Sequence, residues 1–252
     1  MAMDTVKRTV EYARSLEKEH NKVFRFTITT NGVLLNDETI EYINREMSNV
    51  VLSLDGRQPV NDRMRPTVNG KGSYEVIVPK FQKLVAGRGT KDYYVRGTFT
   101  RDNLDFSQDV LHMGDLGFRH VSVEPASGPL DDPFAIKEED LEKVEAEYEK
   151  LAGQLMERPD INFFHFNVDL AQGPCVIKRL RGCGAGCEYV AITPDGDIYP
   201  CHQFVGKEEY RMGNVFDGSF DMDISGTFAQ QNIYPRPACR ECWARFYCSG
   251  GW

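Results

Sequence analysis

Helix-like and strand-like segments alternate through the first 170 residues of this chain, and this alternation limits the possible folds more than any other feature. The predicted helices cover residues 4–18, 37–47, 73–85, 105–116 and 138–156, and the predicted strands cover residues 23–29, 50–54, 93–100, 118–124 and 161–168. Because parallel strands need a crossover connection, the pattern predicts βαβ units in an α/β sheet or barrel. A βα barrel usually opens on a strand, but this chain opens on a helix, so we expect a partial barrel that lacks its first strands. Pro79 lies inside the third predicted helix and is expected to kink it or to shift its start.

The composition changes after residue 170, where glycine, proline and cysteine become more frequent. All seven cysteines lie between Cys175 and Cys248. We therefore predict two domains, an incomplete barrel of residues 1–170 and a small cysteine-rich domain of residues 171–252. In the second domain, residues 189–193 and 198–201 flank a Pro-Asp-Gly turn and predict a β-hairpin, and the remainder is predicted to be loop.

The net charge of −8 and the absence of long apolar runs exclude several classes of partner. An acidic chain without a basic tract does not offer the cationic face that nucleic-acid phosphates require. No segment approaches the roughly 18 apolar residues of a membrane span, and the charged N-terminal segment does not resemble a signal peptide. We therefore expect a cytoplasmic protein with no nucleic-acid or membrane partner. In that reducing compartment clustered cysteines favour a metal site over disulfides, and an odd number of them cannot all pair within the chain.

The cysteines form two groups whose spacing suits metal ligation. The first group follows C-x3-C-x13-C and comprises Cys183, Cys187 and Cys201. The second group follows C-x2-C-x5-C and comprises Cys239, Cys242 and Cys248. Zinc knuckles and ribbons also use C-x2-C, which leaves zinc open for the second group. The first group does not follow the usual paired zinc spacing and favours an iron–sulfur centre. Cysteines acting only as small buried apolar residues are a weaker alternative, because so many of them lie in predicted loops.

Residues 183–252 resemble the SPASM module of radical S-adenosylmethionine (SAM) enzymes, whose motif runs from G-x4-C to C-x2-C-x5-C-x3-C. Gly196 and Cys201 match G-x4-C, and the second cysteine group matches the next three positions. More narrowly, residues 173–180, 199–206 and 242–251 are similar to the maturases of six-cysteine (SCIFF) peptides. Those enzymes form a thioether between a Cys sulfur and a backbone carbon of a ribosomal peptide.

Short polar motifs that follow the predicted strands, at residues 30–32, 53–56, 96–98 and 117–118, resemble the radical SAM barrel, so the resemblance covers nearly the whole chain. Because polar residues at the carboxyl ends of parallel strands face the ligand-binding mouth of a barrel, five of them are candidates to bind SAM. They are Thr30, Asn31, Ser53, Asp55 and Arg96. The alternatives are that a Ser or Asp at such a position caps the next helix and that Arg96 pairs with a surface carboxylate.

The resemblance implies SAM, two auxiliary [4Fe-4S] clusters, a cysteine-rich precursor peptide and a reductant such as ferredoxin or flavodoxin. In the family, a reduced cluster cleaves SAM and the resulting radical takes a hydrogen atom from the peptide. By the crossed ligation of the module, the first cysteine group would serve one auxiliary cluster and the second group the other. Cys175 is either a spare ligand for the first cluster or a free thiol.

Two departures from the family pattern lead us to expect an internal piece of a longer enzyme that is inactive alone. No cysteine precedes Cys175, so the C-x3-C-x2-C loop that holds the SAM-cleaving cluster is absent, as is the G-G-E-P segment. Trp252 occupies the position of the final C-x3-C cysteine, so each auxiliary site would keep three thiolates.

Two other functions stay open, namely another SPASM enzyme such as an anaerobic sulfatase maturase, and a non-catalytic protein that binds a peptide through a metal-stabilised module. The Cys-His-Gln-Phe-Val-Gly run at residues 201–206 speaks against the sulfatase maturase without excluding it. His202 is expected to hydrogen-bond around a cluster rather than to ligate it. His112, His120 and His165 are expected to be packing or surface residues.

Overall fold

Five parallel strands form the sheet around which the N-terminal two thirds of the chain fold in the computed structural model. They are β1 (Thr27–Thr30), β2 (Asn49–Ser53), β3 (Asp92–Phe99), β4 (His120–Pro125) and β5 (Asn162–Phe163), and they lie side by side in this order. Neighbouring strands are parallel, with Ser53 opposite Arg96 and Arg96 opposite Ser122. The structure describes residues 2–129, 131–168, 180 and 182–248. The chain divides into a first unit, Met1–Asn167, and a second unit, Val168–Trp252.

The helices of the first unit bury one face of this sheet. They are α1 (Met3–His20), α2 (Asp37–Glu46), α3 (Gln58–Met64), α4 (Tyr74–Ala86), α5 (Ser107–Asp115) and α6 (Leu141–Met156). Along β3, Tyr93, Val95 and Phe99 are buried, whereas Tyr94 and Arg96 between them are more exposed. This alternation places the first three in the shared helix–sheet core and leaves the other face of the sheet for polar side chains.

Local sequence explains where several elements begin. The Asn36 side chain accepts a hydrogen bond from the Thr39 amide, and the Thr39 hydroxyl accepts one from the Asn36 amide, which forms a capping box for α2. Gly97 is required because a Cβ atom there would lie 2.6 Å from the Leu54 carbonyl oxygen and 2.9 Å from the Cα atom of Asp55. The Arg-Gly-Thr motif therefore lets β3 pass close to the end of β2.

The predicted α/β class with a parallel sheet is confirmed, whereas one predicted strand is wrong in its extent and one helix was not predicted. The strand predicted for residues 161–168 is limited to Asn162–Phe163, because the chain then turns into a 3-10 helix at Phe164–Phe166. The helix α3, whose second residue is Pro59, was not predicted. Pro79 does not shift the start of α4, since the helix runs from Tyr74 to Ala86 and residues 73–85 were predicted.

The second unit contains a small antiparallel sheet. Its strands are β6 (Ala191–Ile192), β7 (Asp197–Tyr199), β8 (Gly213–Asn214) and β9 (Ser219–Phe220). The predicted hairpin is present, with Ala191 opposite Tyr199. The expectation that the rest would be loop is wrong, because β8 and β9 extend the sheet and three helices follow, α7 (Met222–Gln230), α8 (Pro237–Arg240) and α9 (Arg245–Cys248). Asp221 caps α7 by accepting hydrogen bonds from the amides of Asp223 and Ile224. Among the described residues, no helix is both long and apolar enough to cross a bilayer.

Candidate functional site

The face of the first sheet that the helices leave uncovered carries a cavity of about 210 Å³. Its walls are formed by Val51, Tyr94, Arg96, Ser122, Glu124 and Phe164. The strand register explains why these residues share one face. Residues paired across parallel strands point to the same side of a sheet. Val51 pairs with Tyr94, and Arg96 pairs with Ser122. The cavity thus combines a guanidinium, a carboxylate and a hydroxyl with two aromatic rings.

A hydrogen-bonded chain leads away from this cavity. Glu124 Oε2 lies 2.7 Å from His165 Nε2, and His165 Nδ1 lies 2.9 Å from the Tyr148 hydroxyl. The Ser122 hydroxyl donates to Glu124 Oε1 at 2.5 Å, and Arg96 Nε lies 3.9 Å from the same oxygen. The hydrogen bond from His165 and that from Ser122 lower the pKa of Glu124 to about 2, against the opposing effect of burial. Burial and the Glu124 charge raise the pKa of Tyr148 to about 12.

Two of the five predicted SAM residues line or border this open face. Ser53 lies opposite Arg96 in the parallel register, on the same side of the sheet. Thr30 lies instead on the core side, since it pairs with the fully buried Leu52 and its hydroxyl accepts a hydrogen bond from the Gly32 amide. Asn31 is exposed, and its side chain accepts from the Val33 amide at 3.3 Å.

The fifth predicted residue, Asp55, is only 2% exposed and is already engaged. Arg65 donates two hydrogen bonds to its carboxylate, at 2.7 and 2.9 Å, and the Thr98 amide donates a third at 2.9 Å. A bidentate Arg–carboxylate pair of this kind is geometrically specific. Asp55 therefore ties α3's C-terminal end to β3 at the carboxyl edge of the sheet.

The first cysteine group lies in the second unit, on the Cys183–Cys187 loop and at Cys201. The Gly186 amide donates to the Pro200 carbonyl at 3.0 Å, which brings the Cys183–Cys187 loop beside Cys201. Burial, followed by the neighbouring Cys183 and Cys201, raises the pKa of the Tyr189 phenol to about 12. Cys201 Sγ accepts a hydrogen bond from the Gln203 amide at 3.4 Å, the kind of contact that surrounds cluster sulfurs.

The second cysteine group follows along two short helical turns. The Cys242 amide donates to the Cys239 carbonyl at 3.1 Å, and Cys248 is exposed at the end of α9. Within the described residues, no three Cys, His, Asp or Glu side chains converge as a preformed metal site. Both groups nonetheless consist of thiols, which are the donors that iron–sulfur clusters and zinc prefer, so the donor set fits such a group. Cys175 and Trp252 lie outside the described residues, and His202 is exposed at the start of a 3-10 helix.

Sequence reasoning missed the hydrogen-bonded chain beside the cavity. Glu124 and Tyr148 were not singled out, and His165 was expected to be a packing or surface residue. The signal available in the sequence was Ser122 and Glu124 at i and i+2 of a strand that ends at Pro125, which points both side chains to one face. His112 and His120 contact aromatic rings, those of Tyr74 and of Tyr93, as packing residues do.

The cysteine-rich region matches a known protein family. Residues 183–243 match SPASM, an iron-sulfur cluster-binding domain. The match covers all but one of the cysteines of the two groups, since Cys248 lies beyond it.

Curated relatives extend the likeness to most of the chain. The cysteine-type anaerobic sulfatase-maturating enzyme of Clostridium novyi is 22% identical over 258 residues, covering 96% of this chain and 67% of that protein. The mycofactocin maturase MftC of Mycolicibacterium smegmatis is 28% identical, covering 96% and 60%. The subtilosin biosynthesis protein AlbA of Bacillus subtilis is 25% identical, covering 79% and 42%. The chain thus spans between 42% and 67% of the length of these relatives.

Solved structures share the fold. Native anSMEcpe with bound AdoMet superposes with a TM-score of 0.78 at 16% identity, over 99% of this chain and 71% of that one. Streptococcus suis SuiB bound to S-adenosylmethionine gives a TM-score of 0.59 at 18% identity, over 90% and 55%. The SPASM match, the maturase relatives and this shared fold together support a radical SAM/SPASM protein.

Proposed function

We propose that the chain carries the SAM-binding sheet and the auxiliary cluster domain of a radical SAM maturase that modifies a peptide or protein. The observation that carries this proposal is the combination, in one chain, of a SPASM match with a parallel sheet whose open face bears Arg96, Ser122 and Glu124. The relatives named as maturases act on a sulfatase or in the maturation of mycofactocin, so their common feature is maturation.

The open face of the first sheet is the proposed SAM site. Ser53 offers a hydroxyl and Arg96 a guanidinium from neighbouring strands. Thr30, Asn31 and Asp55 remain candidates, although Asp55 would have to share its carboxylate with Arg65. When bound and reductively cleaved, SAM supplies a carbon radical that abstracts hydrogen. The chain's own part is to bind and orient SAM and to exclude water.

The two cysteine groups are the proposed ligands of two auxiliary [4Fe-4S] clusters. Cys183, Cys187 and Cys201 would hold one of them, and Cys239, Cys242 and Cys248 the other, with Cys175 as a further candidate ligand. The Gln203 amide that donates to Cys201 Sγ would stabilise the thiolate of that ligand.

Within the maturases, we propose a substrate that is a cysteine-rich ribosomal peptide and a product that contains a thioether. The SCIFF-like run at residues 201–206 supports this choice. The second candidate is sulfatase maturation, which the relative from Clostridium novyi and the superposition on anSMEcpe favour. In either case, a reductant such as ferredoxin or flavodoxin would supply the electron.

Peptide binding separates the two candidates. The anaerobically reconstituted chain should bind a six-cysteine precursor peptide about tenfold or more tightly than its all-serine copy, since a thiolate can coordinate an open cluster position. A sulfatase-derived peptide is the matched competitor. Tighter binding of the sulfatase peptide, or equal binding of the cysteine and serine copies, would refute the thioether assignment.

We further propose that the chain does not cleave SAM by itself, because all of its cysteines lie at or after Cys175 and no C-x3-C-x2-C motif is present. Incubation of the reconstituted chain with SAM and dithionite should yield no 5′-deoxyadenosine above the background without protein. Sustained formation of 5′-deoxyadenosine would disprove this point and leave the binding assignments untouched.

A further inference from the structure

Tyr148, His165 and Glu124 form one continuous hydrogen-bonded path that ends beside Arg96. Tyr148 lies on α6, His165 in the 3-10 turn after β5, and Glu124 on β4, so the path ties three separate elements to the cavity wall. All three side chains are at least partly buried, and His165 and Glu124 keep exposed fractions of 22% and 27%. The direction of the hydrogen bonds along this path determines how the Glu124 carboxylate is held.

The protons along this path run in one direction. A carboxylate oxygen can only accept, so the Nε2–H of His165 donates to Glu124 Oε2. In the imidazole tautomer that carries its proton on Nε2, Nδ1 is an acceptor, and the Tyr148 hydroxyl donates to it. The Ser122 hydroxyl donates to the other oxygen. Glu124 is therefore an anion whose oxygens are both fixed in place.

Arg96 meets this fixed carboxylate through one end of its guanidinium. Its Nε atom lies 3.9 Å from Glu124 Oε1, while the side chain is 58% exposed. Across the described ranges, the two Nη groups donate no hydrogen bond to the protein. Their edge is the one that forms bidentate pairs with carboxylates, and a carboxylate that approaches it leaves the contact between Nε and Glu124 intact.

We propose that Glu124, held by His165 and Tyr148, is a positioning residue that orients Arg96 so that its Nη edge receives the carboxylate of a ligand in the cavity. The inference rests on the proposed function in one respect, that the ligand is SAM, whose amino-acid part carries such a carboxylate. Tyr94 and Phe164 close the cavity on the apolar side.

Binding to the full chain tests the inference with SAM and with 5′-methylthioadenosine, which lacks the amino-acid carboxylate. E124Q should weaken SAM binding about tenfold, the effect of losing one charged hydrogen-bond partner, and should leave methylthioadenosine binding unchanged. H165Q, which keeps an N–H donor, should retain more affinity than H165L. SAM binding by E124Q that equals or exceeds that of the wild type would overturn the inference, because Glu124 would then merely compete for Arg96.

The chain offers a matched control for the distal end of the path. Tyr74 also hydrogen-bonds to a histidine, with its hydroxyl 2.7 Å from His112 Nε2, but neither residue lines the cavity. Y148F should weaken SAM binding severalfold, whereas Y74F should not change it. Equal loss in both variants would indicate a general effect on folding and contradict the positioning role.

A readout without ligand separates this inference from the proposed function. In the nitrogen NMR spectrum of the free chain, the Arg96 Nε–H signal should be distinct in the wild type and should broaden or move toward the free-arginine position in E124Q. Identical Arg96 signals would overturn the inference whether or not SAM binds. A wild-type chain that binds no SAM but shows the expected Arg96 response would refute only the proposed ligand.

Discussion

The two units differ in what holds their candidate sites together. In the first unit, the cavity lies on a sheet whose register is fixed by a large core that includes Phe81, Phe99 and Phe106, all fully buried. In the described part of the second unit, the cluster of buried side chains around the first cysteine group consists of Ala185, Cys201 and Phe228. The first site is therefore preorganised by packing, whereas the second has its donors on short elements, and we expect it to depend on a bound group for its final geometry.

Removing one core ring should produce the largest effect and should be specific to the first unit. Phe99 is 0% exposed and stacks on Phe106 with ring centroids 4.2 Å apart. F99A should lower the free energy of unfolding by about 3–5 kcal/mol, measured by urea denaturation followed by far-UV circular dichroism. F216A in the second unit is the control, since Phe216 is 81% exposed and its loss should cost less than about 0.5 kcal/mol. Similar losses in the two variants would remove the contrast between the units.

Cluster assembly should stabilise the second unit and leave the first nearly unchanged. Hydrogen exchange of residues 183–248 should slow by about a hundredfold after anaerobic reconstitution with iron and sulfide, which corresponds to a ligand present at about 100 times its Kd. Amides of β1 to β4 should exchange at the same rate before and after. Equal slowing in both units, or none in the second, would show that the second site does not depend on a bound group.

The ion pair at the carboxyl edge of the first sheet should have an intermediate effect. R65A leaves the carboxylate of Asp55, 2% exposed, without its cation, and should lower the free energy of unfolding by about 2–3 kcal/mol. K83A removes a surface pair in which Lys83 and Asp37 are 58% and 84% exposed, and should cost less than about 1 kcal/mol. A loss from R65A as small as that from K83A would mean that Asp55 is free to bind a ligand.

The smallest expected effect is on the stability of the folded chain at acidic pH. The folded state lowers the pKa of Glu124 from 4.5 to about 2, so its contribution to stability is complete above the ordinary pKa and is lost as pH falls through about 2. Carboxyl carbon NMR should show Glu124 titrating near pH 2 in the wild type and at higher pH in H165L, because the largest cause of the lowering is the hydrogen bond from His165. A Glu124 titration that is unchanged by H165L would contradict the hydrogen-bonded path.

The difference between the units also explains what the sequence could predict. Alternating apolar residues in β3 and helical spacing in α1 report directly on burial, so the α/β class with a parallel sheet followed from the pattern. The path through Glu124 joins residues 41 and 17 positions apart, and it depends on the 3-10 turn that ends β5. No local periodicity encodes such a contact. The elements after β7 were missed because they are only two to nine residues long.

The most direct test of the account is metal and sulfide analysis of the anaerobically reconstituted chain. We predict that iron and acid-labile sulfide bind in equal amounts, that substitution of Cys183, Cys187 and Cys201 by alanine removes about half of both, and that substitution of Cys239, Cys242 and Cys248 removes the other half. The first unit should keep its fold in both triple variants. Stoichiometric zinc without sulfide, or iron binding that survives the loss of both cysteine groups, would contradict the account.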